Sequence, residues 1–145
     1  MNTENVRKCR MHTFSTRPKE VDFVPYLLYQ KITQKVGVPM FVKDSEKKLL
    51  SVVPGVQRKT LAVGANTLMT KFVLAAGSEL PMHKHPHEQI GFLVSGRLIL
   101  SIGDESCDLL PGDSWAVPGD VEHCAKVIED SEAIEVFFPV RQDYL

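Results

Sequence analysis

Regularly spaced turn signals constrain the fold of this chain more than any other feature of its sequence. Clusters rich in glycine, proline, asparagine, aspartate and serine occur at 64–66, 77–78, 95–96, 103–104, 111–113, 118–120 and 129–131. The short segments between them are rich in leucine, isoleucine, valine and phenylalanine, a pattern typical of an all-β sandwich or barrel. The predicted strands are 57–63, 67–75, 82–85, 89–95, 97–102, 106–110, 114–117, 123–128 and 132–138. No helical crossovers separate them, which argues against a parallel α/β fold.

The residues before 53 lack this rhythm of strands and turns. We therefore predict two parts, an N-terminal arm over 1–52 and a β-barrel over 53–145. Within the arm, residues 22–37 carry apolar side chains at four-residue spacing, which predicts a short helix. Because a helix of four turns is marginally stable alone in water, we expect it to pack on the barrel or on a second subunit.

Charge and cysteine content argue against several classes of partner. The chain has 17 basic and 18 acidic side chains, so no net field would draw it to nucleic acid or to an anionic membrane. Its N-terminus lacks the apolar region of a signal peptide, and no later run is long enough to span a membrane. The three cysteines are odd in number and far apart, which fits reduced thiols. These features predict a soluble, cytoplasmic protein.

A dense histidine cluster indicates a metal site. Three of the five histidines in the chain lie between residues 83 and 87. His83 and His85 are two residues apart, so on an extended segment both imidazoles leave the same face and can converge on one ion. A helix would point the same two rings apart.

Two separated motifs around these histidines resemble those of the cupin superfamily. The first motif of that family joins a glycine, His-x-His, a glutamate and a second glycine, and its counterparts here are Gly77, His83, His85, Gln89 and Gly96. The second joins a glycine, Pro-x-Gly and a histidine, and its counterparts are Gly112, Pro118, Asp120 and His123. Gln89 stands where the family usually has glutamate, and Asp120 where it usually has glycine. The resemblance covers about residues 53 to 140.

This resemblance implies a small double-stranded β-helix, the jelly-roll barrel of cupins, and a metal site inside it. The metal ligands would be His83, His85, Gln89 and His123, holding one divalent transition metal ion: Zn, Ni, Mn, Fe or Cu. Gln89 lies four residues beyond His85 and shares its strand parity. Cupins commonly pair their sheets, so the resemblance also predicts a homodimer.

Gln89 and His87 make this site unlike the usual one. A neutral amide in place of a carboxylate leaves the full double charge of the ion, which favours an anionic small molecule that chelates through oxygen. His87 shares the parity of His83 and His85, and it could be a further ligand, a group that supports the ligands, or an acid–base group that lines the cavity. Alternatively, a kink at Pro86 turns it towards solvent.

Two classes of function fit these residues, because the cupin fold serves both enzymes and binding proteins. The first is a metalloenzyme that polarises an anionic chelate for oxygenation, isomerisation or cyclisation. The second is a non-catalytic binding or sensor protein, whose cavity would have no titratable group within reach of the ligand. Strand alternation turns Glu88 and Glu122 away from the interior, and the sequence shows no obvious acid and base pair beside the ligands.

Overall fold

Over the described part of the chain, the fold is built from eight antiparallel β-strands. A computed structural model describes residue 39 and residues 41–145. The strands are β1 (Leu50–Val53), β2 (Val56–Val63), β3 (Leu68–Leu74), β4 (Glu79–His83), β5 (Glu88–Ile102), β6 (Glu105–Leu109), β7 (Ser114–Val117) and β8 (His123–Phe138). Two single 3-10 turns, Asp44–Glu46 and Gln142–Tyr144, flank them. Among the described residues no helix is long and apolar enough to cross a membrane.

One continuous set of strand pairs forms the sheet. The strand order is β1-β2-β3-β8-β5-β6, while β4 pairs with β8 and β7 pairs with β5. Strands β5 and β8 run side by side over most of their length and make the central pair. This sheet confirms the all-β class that the turn spacing predicts and the jelly-roll barrel that the resemblance implies.

The two longest strands correct the predicted strand boundaries. The turns predicted at 95–96 and 129–131 lie inside β5 and β8, so each of these strands joins two predicted ones. The pairing of β5 with β8 shifts register between Leu93 and Leu98, which marks a bulge. Gly96 adopts a φ of +85° there, and a Cβ atom on it would lie 2.2 Å from the Asp130 carbonyl oxygen. Gly96 therefore lies at a bend shared by β5 and β8. The chain continues along β5 there and does not form the predicted turn.

Other boundaries differ at the start of the barrel. Strand β1 is an addition to the predicted set, and β4 ends at His83, so His85 lies beyond it and outside any strand. The predicted helix over 22–37 lies outside the described residues. The division of the chain at residue 53 stays a prediction, although β1 begins at Leu50 and already pairs with β2.

The core follows the alternation of side chains along the strands. In β3 the side chains at 68, 70, 72 and 74 are buried, and those between them are more exposed. In β5 the residues Gln89, Gly91 and Leu93 are buried, whereas Ile90, Phe92 and Val94 are exposed on the outer face. Phe137, Leu68 and Leu93 are among the largest fully buried side chains. The buried face of β5 thus places the Gln89 amide and Gly91 in the core, where the candidate site lies.

Candidate metal centre

Three histidines from two separate parts of the chain meet at one point. His83 ends β4 and His123 begins β8, and these two residues are directly paired between the strands. His85 follows in the loop after β4. The nearest ligand atoms of the three imidazoles all lie within 4.8 Å of one another. The fold therefore brings together the two histidine motifs that are 38 residues apart in the sequence.

Backbone carbonyls orient all three rings. The Nδ1 atoms of His83, His85 and His123 lie 2.8, 3.0 and 2.9 Å from the carbonyl oxygens of Pro81, His87 and Val121. A carbonyl can only accept, so each Nδ1 carries the hydrogen and each neutral ring keeps a lone pair on Nε2. Such a backbone contact is the usual way in which proteins fix a metal-binding imidazole.

Burial keeps two of these rings neutral. His85 and His123 are 7 % and 3 % exposed. Burial, followed by the nearby Arg141 cation, lowers the pKa of His85 below its usual range. Burial also lowers the pKa of His123, with a smaller opposing effect of its bond to the Val121 carbonyl. Neutral imidazole is the form that binds a metal ion.

Gln89 faces the same point with its oxygen. Its Nε2 donates to Glu135 Oε1 at 2.6 Å, which leaves Gln89 Oε1 beside His85 Nε2 at 3.1 Å. When His85 is neutral with its hydrogen on Nδ1, no hydrogen lies between these two acceptors. Two lone pairs then face each other in a buried place, an arrangement that a shared cation would make favourable. The residues present thus fit a divalent ion held by imidazole nitrogen and amide oxygen.

His87 does not belong to the set of three histidines whose ligand atoms converge. Its ring centroid is 5.7 Å from that of His85, and its backbone carbonyl accepts the His85 Nδ1 hydrogen. The Nδ1 atom of His87 is buried and has no hydrogen-bond partner in the described part of the chain. A backbone role in orienting His85 is therefore visible, while a ligand role for the His87 ring stays a prediction.

Glu135 is a candidate functional residue that the sequence alone did not indicate. It lies on β8 directly opposite Gly91 of β5 and lines the cavity. The side chain is partly exposed towards the cavity, but protein surrounds the carboxyl group. Burial raises the pKa of Glu135 to about 8, against the opposing effects of the Gln89 amide and the Arg141 cation. Its signal in the sequence was parity, because Glu135 is two residues from each of the buried residues Ala133 and Phe137 and so lies on the same face of the strand.

The site opens into a largely apolar cavity of about 350 Å³. Four aromatic side chains line it, namely those of Phe72, Trp115, Phe137 and Tyr144. Phe92 lies on the outer face of β5, away from this wall, and is 46 % exposed. Glu88 and Glu122 are exposed, as strand alternation predicts. The cavity thus combines an apolar wall with a few polar groups, as small-molecule sites do.

The C-terminal turn supplies a cation to this cavity. The Arg141 side chain is 14 % exposed and donates from Nη2 to Asp143 Oδ2 at 2.7 Å. Its guanidinium carbon lies 3.9 Å from the centre of the Tyr144 ring, and that of Arg58 lies 3.5 Å from the same centre. The Thr60 hydroxyl donates to the Tyr144 carbonyl at 2.7 Å. Strand β2 therefore holds the turn in place, and Arg141 faces the cavity with Glu135.

Comparisons with known proteins agree with the fold. A family model described as a cupin domain matches residues 70–138. The structure of KdgF from Halomonas sp. is 32 % identical with a TM-score of 0.70, covering 74 % of this chain and 99 % of that chain. An RmlC-like cupin from Shewanella frigidimarina is 25 % identical with a TM-score of 0.70, covering 74 % and 96 %.

A curated relative adds a named activity. The H2HPP isomerase of Bacillus subtilis is 27 % identical over 96 residues, which are 65 % of this chain and 41 % of that protein. The chain thus spans about two fifths of the length of this relative. The convergent histidines, the jelly-roll sheet and the likeness to KdgF along nearly its whole length lead to one conclusion: this chain belongs to the cupin family.

Proposed function

We propose that this protein is a metal-dependent isomerase of a small anionic compound that chelates through two oxygens, such as a carboxylate next to an enol. One observation carries the proposal: His83, His123, Glu135 and Arg141 line a single apolar cavity. A metal site, a proton-carrying group and a cation are thereby within reach of one small molecule. An isomerisation needs no further chemistry from the protein.

The metal ligands we propose are the three imidazoles, through Nε2, and Gln89, through Oε1. When bound there, a divalent ion would polarise a chelated carbonyl or enolate and so make the adjacent carbon more acidic. Zn, Ni, Mn, Fe and Cu all accept imidazole together with one oxygen. The neutral amide at Gln89 leaves the charge of the ion undiminished, which suits an anionic ligand.

Glu135 is the proposed acid and base. Its carboxylate would take a proton from a carbon of the substrate, and the resulting carboxylic acid would return that proton to another atom of the same molecule. Such a transfer moves one proton and leaves the overall oxidation state unchanged, so it needs no co-reactant. A pKa of about 8 keeps both protonation states available near neutral pH.

Arg141 is the proposed counter-charge for the substrate. Its Nε and Nη2 atoms donate to the Asp143 carboxylate at 3.3 and 2.7 Å, which leaves Nη1 for a further acceptor. A planar guanidinium held by an ion pair and by an aromatic ring is preorganised for binding a carboxylate. The nearby Arg141 charge also favours the ionised form of Glu135.

Two considerations favour isomerisation over the other functions that the sequence allows. A titratable group inside the cavity is what a non-catalytic binding protein would not need, and Glu135 is such a group. The curated relative named above is called an isomerase, which supports the same class of reaction. Oxygenation and cyclisation have no comparable observation in their favour.

The experiment that tests this proposal is proton exchange with solvent. The metal-loaded protein is incubated in D2O with a panel of 2-oxo acids, β-oxo acids and phenolic acids, while NMR follows deuterium uptake at carbon. We expect exchange for at least one anionic chelate and a decrease of about 10²-fold to 10⁴-fold in Glu135→Gln. Glu88→Gln, which changes an exposed glutamate one residue before Gln89, is the matched control and should keep the wild-type rate.

Other outcomes would contradict this proposal in distinct ways. Oxygen uptake without exchange would indicate an oxygenase. Ligand binding without exchange or turnover across the panel would indicate a binding protein. Equal exchange rates in Glu135→Gln and wild type would remove Glu135 from the chemistry.

We also propose that the protein is a homodimer that pairs through the outer face of β5. Ile90, Phe92 and Val94 form one exposed apolar row there. Such rows are typical of surfaces that contact another chain. Light scattering should give twice the chain mass for wild type and a monomer for Phe92→Glu, whereas a monomeric wild type would contradict the proposal.

A further inference from the structure

The indole nitrogen of Trp115 is a polar group that the proposed reaction does not yet use. Trp115 is the one tryptophan of the chain, lies on β7 and lines the same cavity as Glu135. Its Nε1 atom is buried and has no hydrogen-bond partner among the residues that the structure describes. Native proteins rarely leave a buried N–H unpaired, and those that do often hold it for a function.

Gly91 fixes the place of this nitrogen. Gly91 of β5 and Trp115 of β7 are directly paired between the two strands. A Cβ atom on Gly91 would lie 2.0 Å from Cε2 and 2.3 Å from Nε1 of the indole. The nitrogen side of the ring therefore occupies the space that any other side chain at 91 would fill. The unpaired N–H is held by the packing of the sheet.

Glu135 is the polar neighbour of this nitrogen. Gly91 pairs with Trp115 on one side and with Glu135 on the other, so the three residues form one row across β7, β5 and β8. The indole N–H lies near enough to favour the ionised form of Glu135, but it makes no hydrogen bond of standard geometry. Oxygen Oε1 of Glu135 already accepts the Gln89 amide. Trp115 and Glu135 are thus neighbours among the side chains that line the cavity.

We infer that the Trp115 indole N–H is a ligand-binding donor, which hydrogen-bonds an anionic oxygen of the molecule bound in the cavity beside Glu135. This inference rests on the proposed function in one respect, namely that the ligand is a small oxygen anion. It adds a requirement for that ligand: one of its oxygens must accept this bond while the molecule reaches Glu135. An apolar molecule of the same size would leave the donor unpaired and bind weakly.

The single tryptophan makes this inference directly measurable. The ¹H–¹⁵N spectrum of the chain has one indole resonance, which needs no assignment. The Zn-loaded protein is titrated with oxalate and with malonate, and with chloride at matched ionic strength as the control. We expect the indole proton to move downfield and to exchange more slowly with water on addition of a dicarboxylate, and to stay in place with chloride.

A second measurement compares affinities in Trp115→Phe. Phenylalanine keeps an aromatic ring over Gly91 and removes the N–H, so a role in packing alone would leave dicarboxylate affinity nearly unchanged. We expect calorimetry to show binding about tenfold weaker than in wild type, the effect of one hydrogen bond to a charged group. Should the variant fail to fold, the indole resonance of the wild type decides the question by itself.

The remaining outcomes separate this inference from the proposed function. Equal binding to both proteins, with an unmoved indole resonance, would overturn the role of Trp115 and leave the isomerase proposal standing. Binding of neither dicarboxylate to the Zn-loaded wild type would overturn both, because each requires that the cavity accept a small oxygen anion.

Discussion

The Gln89 side chain is oriented by Glu135, whose Oε1 accepts the amide hydrogen at 2.6 Å. This contact decides which end of the amide faces the histidines, and places Gln89 Oε1 3.1 Å from His85 Nε2. It also puts the carboxyl group directly behind the proposed ligand set. Ligand geometry and acid–base chemistry are therefore coupled through one side chain.

Replacing the amide by a carboxylate should strengthen metal binding and weaken anion binding. In Gln89→Glu the new charge offsets one unit of the charge on the ion, and Glu135 loses its amide donor. We expect the metal affinity, measured by competition with a chelator, to rise by at least about tenfold. Calorimetry should show weaker binding of oxalate. Gln89→Leu, which removes the oxygen, should instead weaken metal binding, and unchanged affinities in both variants would remove residue 89 from the site.

The pH dependence of stability should report Glu135 in the metal-free protein. Burial raises its pKa from 4.5 to about 8, so between these values the native protein holds a proton that the unfolded chain has released. The free energy of unfolding therefore falls as pH rises from 5 to 8, by at most roughly 5 kcal/mol from this group. Urea denaturation in the presence of a chelator should show this fall in wild type relative to Glu135→Gln. Parallel pH profiles for the two proteins would contradict the burial of an ionisable Glu135.

Removing the Arg141 charge should weaken the binding of the small-molecule ligand and leave the metal ion in place. Arg141→Ala deletes a charge that faces the proposed substrate but contacts no proposed metal ligand directly. We expect oxalate binding to weaken about tenfold, while the metal content of the protein stays the same. Arg97, whose guanidinium pairs with Asp108, lies outside the cavity lining and provides the control variant Arg97→Ala. Loss of metal in Arg141→Ala would indicate a general collapse of the site.

Gly91 should tolerate no side chain, because the Trp115 ring occupies the space. The overlap at 2.0 Å predicts that Gly91→Ala lowers the free energy of unfolding by about 1–3 kcal/mol and moves the tryptophan fluorescence. Gly77→Ala is the comparison, because a Cβ there meets nothing within 4 Å and only its φ of +80° is unfavourable. That change should cost about 1 kcal/mol and leave the fluorescence unmoved. Wild-type stability and fluorescence in Gly91→Ala would refute the packing described here.

Turn spacing, which is a local pattern, predicted the all-β fold class, and the resemblance to cupins implied that His83, His85 and His123 would meet. Turn spacing misplaced the boundaries inside β5 and β8, since Gly96 and Asp130 are turn-formers that tertiary pairing holds in a bulge. Glu135 was missed for a different reason. Its role depends on its neighbours on β5, and a single charged residue in a predicted strand says nothing of which strand lies beside it.

The most direct test of the metal centre is the metal content of protein purified without a histidine tag. Elemental analysis should find about one transition metal ion per chain in the wild type and none in His83→Ala/His123→Ala. Glu135→Gln should keep its ion, because glutamine can still accept the Gln89 amide hydrogen. Stoichiometric metal that persists in the double histidine variant would contradict the site proposed here.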